Sequence, residues 1–295
     1  MSLLLIVSLL WAFSFGLIKG RLAGLDPAAV AVVRLALAAL VFLPLLRLRS
    51  LPAMTALRFA AIGALQFGAM YVFYLRAFVH LQAHEVALFT IFTPLYIALL
   101  DAALERRFQP THVAAAGVSV LGAGLLLAGG ELRPGLAVGF GLVQLSNLCF
   151  ALGQLAYKRV RARQTGLRDR DIFGLLYAGA LLATGVFSLF TTDWMAFRPS
   201  AAQWGVLAYL GILASGVCFF WWNLGALRVN NGTLAAFNNA KVPLGVACSL
   251  IFFGESADLT QLTTSLLLLT AAVVMAEYAP PRRDYGPASG SSKGN

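Results

Sequence analysis

The chain has 295 residues, 60% of them hydrophobic and only 12% charged, with a formal net charge of +10. A soluble domain averages roughly 45–50% apolar and about 25% charged residues, so this composition excludes an ordinary soluble enzyme and a disordered chain. The apolar residues run from Leu3 to about residue 279, which excludes a single anchor on a soluble domain.

Apolar runs are expected to span a bilayer at 3–19, 27–46, 55–77, 84–103, 110–129, 135–157, 171–191, 202–226, 232–253 and 260–279, each near the roughly 20 residues that a helix needs to cross. Asp26-Pro27, Gln109-Pro110, Arg133-Pro134-Gly135 and Asp258-Leu259-Thr260 punctuate helix starts, and Gly129-Gly130 a stop. Period-2 strands are absent from the pattern, so a β-barrel is not expected. The fold class is therefore an all-α integral membrane protein with ten transmembrane helices. Fifteen Lys and Arg residues then fall on the side of the N-terminus, six of them between Lys158 and Arg170, against five (Lys19, Arg21, Arg76, Arg133 and Arg198) on the other. That bias predicts both termini in the cytoplasm, in the inner membrane. It also accounts for the positive charge without nucleic acid. The first run has no basic n-region or cleavage site and reads as a span. Cys149, Cys218 and Cys248 lie in apolar runs, with neither disulfide nor metal spacing.

At an offset of 149, Tyr74-Leu-Arg-Ala77-Phe78 falls on Asn223-Leu-Gly-Ala226-Leu227, and Thr93-Pro94-Leu95 falls on Val242-Pro243-Leu244. Glu105 falls near Glu255, shifted by one, and Trp11 to Lys19 has the spacing of Phe150 to Lys158. The run of matches predicts a duplication: residues 1–130 as one five-helix repeat, 131–279 as the second, and 280–295 as a disordered cytoplasmic tail. Five spans per half force the second to enter from the opposite face, giving an inverted-topology repeat.

These residues carry a family resemblance. The early span with Trp11, Phe13 and Lys19, the second-span Ala31-Val-Val-Arg34, the Tyr74–Pro94 segment echoed at Asn223–Pro243, and Glu105 and Glu255 before the last span of each half occur in the order found in the drug/metabolite transporter superfamily. Over about residues 3–278 the chain resembles its ten-span branch with two EamA-like repeats. The resemblance implies alternating access for small metabolites, with amino-acid export favoured, and a central cavity lined by the helices holding Pro94 and Pro243.

No phosphate loop, HExxH or GxSxG motif is present, so neither an enzyme nor a cofactor is expected. His80, His84 and His112 lack metal-ligand spacing, and no metal site is expected. Lys241 is the sharpest candidate. A cation near mid-span costs at least about 2.5–3.5 kcal/mol on insertion scales, so it should face a polar cavity or a partner, and Asn238 and Asn239 precede it by less than one turn. It either attracts a substrate carboxylate or fixes the bundle around Pro243. Arg34, about seven residues into its span, either contacts an anion or snorkels outward. Pro94 and Pro243 free carbonyls and kink their helices. Trp11, Ser14, Gln66, Tyr71, Tyr74, Thr90, Tyr96, Asn147, Gln154 and Asn223 complete the candidate substrate-binding or gating set, their amides and hydroxyls suited to a zwitterion and their rings to an apolar side chain. Glu105, Glu255 and Asp258 read as loop-edge residues, and Glu85 as a partner for Arg76 or His84. Gly16–Gly20 and Gly135–Gly139 are GxxxG patterns for packing within the bundle. The expected partners are the lipid bilayer and one small solute, with no nucleic acid and the chain a monomer. The alternatives are export of drugs or other metabolites by the same fold, or a non-transport integral-membrane enzyme.

Overall fold

The structure, a computed structural model, describes residues 2–47, 51–104, 114, 117–118, 120–122, 134–164, 166–229, 231–256 and 258–277. The described residues are helical with no strand, and seven helical runs are long and apolar enough to cross a membrane. Helices are what lipid demands, because each satisfies its backbone polar groups internally. Most of the expected span 110–129, and the tail from residue 278, lie outside the described residues.

The chain opens with α1 (Ser2–Arg21) and α2 (Pro27–Phe42). Asp26 caps α2, its carboxylate accepting Ala29 N at 2.8 Å with Pro27 at the first helical position. The third expected span is α3 (Ala53–Gly63), a π-helical stretch (Ala64–Ala69) and α4 (Met70–His80). The fourth is two helices, α5 (Ala83–Phe89) and α6 (Phe92–Leu104). Then follow α7 (Leu136–Ala162) and α8 (Asp169–Thr191). Next come α9 (Ala201–Ala208), a second π-helical stretch (Tyr209–Val217) and α10 (Cys218–Ala226). The described chain closes with α11 (Asn231–Phe252) and α12 (Leu259–Glu277).

The π stretches occupy corresponding places in the two halves, and their packing is reciprocal. The first lies against α8 and the second against α2. Small residues make both approaches possible. A side chain at Gly63 would run into the Leu176 backbone, and one at Gly211 would meet Leu37 at 2.7 Å. A π turn leaves carbonyls out of the α ladder, and side chains recover them here. Ser215 Oγ donates to Leu210 O at 2.6 Å, Trp11 Nε1 to Ala214 O at 2.9 Å, and Tyr177 Oη to Gly216 O at 2.9 Å.

The two prolines act differently. At Pro94 the helix breaks rather than kinks. Thr93 N turns back to Thr90 O at 3.1 Å, which leaves Phe89 O outside the ladder. Asn147 Nδ2 takes that carbonyl at 2.9 Å, and Thr93 Oγ1 donates to Asn147 Oδ1 at 3.1 Å. Pro243 sits within an unbroken α11, on an exposed face. Both GxxxG patterns pack inside the chain, Gly16 and Gly20 against Phe253, Gly135 and Gly139 against His80 and Leu81.

Candidate functional site

A cavity is lined from α1, α2, α4, the break between α5 and α6, α6, α7, α10 and α11 by Trp11, Ser14, Phe15, Arg34, Met70, Tyr71, Tyr74, Thr90, Thr93, Ser146, Asn147, Phe150, Phe219 and Lys241. Its empty space is about 570 Å³, open mouth included.

Two cations face this space. Arg34 is 2% exposed, so it does not snorkel to the interface as one sequence expectation allowed. Its partners are distant in sequence. Nη2 donates to Tyr71 Oη at 2.8 Å, Nε donates to Ser215 Oγ at 3.2 Å, and the guanidinium lies over the Tyr71 ring at 4.4 Å. Nη1 has no partner among the described residues. Lys241 is 8% exposed, with its ammonium 5.3 Å from the centre of the Trp11 ring. Phe219 touches both supporting rings, at 5.0 Å from Trp11 and 5.9 Å from Tyr71. No acidic side chain lines the cavity among the described residues. The lining therefore combines two cations, hydroxyls and aromatic faces, a chemistry that holds an anion with an apolar body.

Of the sequence candidates, Trp11, Ser14, Arg34, Tyr71, Tyr74, Thr90, Asn147 and Lys241 line this space. Gln66, Gln154 and Asn223 do not. They lie one helical turn beyond Met70, Phe150 and Phe219, buried beneath the cavity with Trp222. Tyr96 is off the site, donating to Gln144 Oε1 at 3.2 Å. Asn238 is buried, with neither amide atom partnered among the described residues. The side chain of Asn239 lies outside the described residues. Pro94 shapes the site through the break it causes, whereas Pro243 and its exposed face are away from the cavity lining. Ser146 and Ser215 were missed, since a lone serine in an apolar run carries no signal without its spatial partners.

A side chain from beyond the end of α11 is tied to the start of α5. Glu255 lies in the loop between α11 and α12, and its carboxylate accepts Ala83 N at 2.7 Å, His84 N at 3.0 Å and a bond with His84 Nδ1 at 2.7 Å. Burial pushes this carboxyl up, but the bonds from the His84 side chain and the two backbone amides together hold it below its usual value. Glu85 instead accepts Gln82 N at 2.8 Å, closing the first turn of α5. Lys19 Nζ donates to Phe78 O at 2.9 Å, and Phe253 covers Gly16 and Gly20.

Comparison with known proteins bears on this site. The EamA-like transporter family pattern matches residues 1–128. A protein of Pseudomonas aeruginosa described as a probable biotin transporter is 42% identical over 92% of this chain and 96% of its own length. The biotin transporters of Escherichia coli K12 and Salmonella typhimurium are each 36% identical over 96% of this chain and 95% of their own. A solved crystal structure superimposes with a TM-score of 0.65 at 20% identity, covering 93% of this chain and 95% of that one, and so shares the fold.

Proposed function

The chain belongs to the EamA-like transporter family, a secondary transporter and no enzyme, and from that membership we propose that it carries a small organic carboxylate, biotin or a close analogue, across the cytoplasmic membrane. The observation that carries the reading is the cavity with Arg34 and Lys241 and no acidic lining residue among those described. A carboxylate meets two cations there, and an apolar ring system meets Trp11, Phe15, Tyr74 and Phe219. The names of the relatives at 36–42% identity support biotin. The amino-acid expectation loses support on both counts. No relative reported above is named for an amino acid, and an α-ammonium group finds no carboxylate in the described lining.

The mechanism is alternating access by two five-helix repeats of opposite topology, 1–130 and 131–279, within ten spans and with both termini cytoplasmic. The reciprocal packing of the two π stretches supports the duplication. The chain works as a monomer in the bilayer, since both cations come from the same chain. Arg34 and Lys241 bind the carboxylate, Tyr74 and Ser146 supply hydroxyls, and the break at Thr90–Ile91 lets α5 move relative to α6.

The test is uptake of labelled biotin by cells that can neither make nor import it, alongside counterflow in proteoliposomes against a panel of amino acids. Biotin is expected to accumulate and exchange, and Lys241→Met and Arg34→Met, both inserted at wild-type levels, are expected to lower uptake at least tenfold. No biotin movement through folded protein overturns the substrate. Full activity in both variants overturns the site.

A further inference from the structure

Beneath the cavity lie two amides whose orientation is fixed by chemistry. Phe219 O can only accept, so the Asn223 atom bonded to it at 2.9 Å is Nδ2. Asn223 Oδ1 is then the atom turned toward Gln66, and it accepts Gln66 Nε2 at 3.2 Å. Gln66 Oε1 is left buried without a partner among the described residues. Trp222 Nε1 can only donate, so its partner at 3.3 Å is Gln154 Oε1, and Gln154 Nε2 is left in the same condition. Gln66 is 0% exposed and Gln154 is 1% exposed.

Gly153, the residue before Gln154, abuts the Gln66 side chain closely enough that a methyl group there would overlap it. An orphan acceptor and an orphan donor thus sit on adjoining stretches of two helices and do not bond each other. A buried polar atom without a partner is costly, and one complementary pair, one turn beneath a substrate cavity, calls for a ligand with the opposite pattern. Phe150 and Phe219, 6.0 Å apart between ring centres, line the cavity one turn from Gln154 and Asn223.

We propose that Gln66 and Gln154 form a second substrate contact, in which Gln66 Oε1 accepts an N–H and Gln154 Nε2 donates to the neighbouring C=O of one neutral amide- or urea-type group. The carboxylate of the same molecule rests at Arg34 and Lys241, so this inference depends on the carboxylate reading above. The contact forms when Phe150 and Phe219 part. A cyclic urea places an N–H beside a C=O in one plane, and the ureido ring of biotin is such a group, joined through an apolar body to a carboxylate.

The experiment is competition against labelled biotin on the purified full chain in lipid nanodiscs. The competitors are desthiobiotin, which keeps the urea, and 5-(2-thienyl)pentanoate, which keeps a sulfur ring and the carboxylate but has no urea. Wild type is expected to prefer desthiobiotin at least tenfold. Gln154→Met removes the donor at similar volume, and it is expected to bring that preference close to one. A wild-type preference near one, or a preference that Gln154→Met leaves unchanged while biotin still binds, overturns the subsite and assigns the orphan pair to a buried water only. If wild type binds none of the three, the carboxylate reading falls and the subsite with it. The wild-type preference decides the matter even where the variant fails to fold.

Discussion

Arg34 can hold a substrate oxygen only because other groups hold Arg34. Its Nη2 and Nε are committed to Tyr71 and Ser215, and Nη1 has no partner among the described residues. Lysine has the charge but not the fork. Arg34→Lys is therefore expected to raise the KM for uptake roughly tenfold or more, since a hydrogen bond to a charged group is worth about 1.5–3 kcal/mol. Tyr71→Phe, which keeps the ring beneath the guanidinium, is expected to raise it less. Saturation curves for uptake at matched protein levels check both, and an unchanged KM in Arg34→Lys contradicts the assignment. How far these residues were legible depended on where their partners lie. Lys241 was legible because depth in an apolar run is a local property. The burial of Arg34 was not, because Tyr71 and Ser215 are 37 and 181 residues away. The bonds of Glu255 were not legible for the same reason, its partner His84 being 171 residues distant.

Among the elements, sequence pattern located the apolar runs well and their interruptions poorly. Proline marks a missing donor, but the pattern does not say whether the helix breaks, as at Pro94, or continues, as at Pro243. The difference is that Asn147 of α7 stands ready to receive Phe89 O. Asn147→Leu is accordingly expected to destabilise the protein by about 1–3 kcal/mol, the cost of a buried carbonyl left unpaired. The π stretches carry no residue signature, and their packing rests on glycine instead. A side chain at Gly179 would run into the Ala60 backbone, so Gly179→Ala forces α3 and α8 apart. Overpacking of that kind costs typically 1–3 kcal/mol. Thermal unfolding in detergent measures both variants, and melting temperatures equal to wild type would remove the roles given to Asn147 and Gly179.

Across the whole molecule, the bond between Glu255 and the start of α5 joins segments far apart in the chain. A carboxyl held below its usual value of 4.5 adds stability that is complete above that value and lost as pH falls through its lowered one. The wild-type melting temperature is therefore expected to exceed that of Glu255→Gln throughout neutral pH, and the two are expected to converge only in acid below about pH 4.5. A gap that persists unchanged to pH 3 would contradict this. If the joint closes one access route, Glu255→Gln also exposes a cysteine placed at Ser14 to water-borne reagents by that route more readily than in the parent chain. Composition made the membrane class legible at this scale, whereas the joint at Glu255 rests on three bonds between residues far apart in sequence.

The pairing of a permanently charged guanidinium with a lining free of described carboxylates has an electrical side. In the alternating-access cycle proposed above, the charge of Arg34 moves through part of the transmembrane voltage, where one elementary charge across 100 mV amounts to about 2.3 kcal/mol. A bound monoanion offsets one positive charge of the Arg34 and Lys241 pair, and an empty cavity leaves the pair unbalanced. The cell's potential therefore acts more strongly on the empty carrier than on the loaded one, and turnover by a carrier that must return empty follows the voltage.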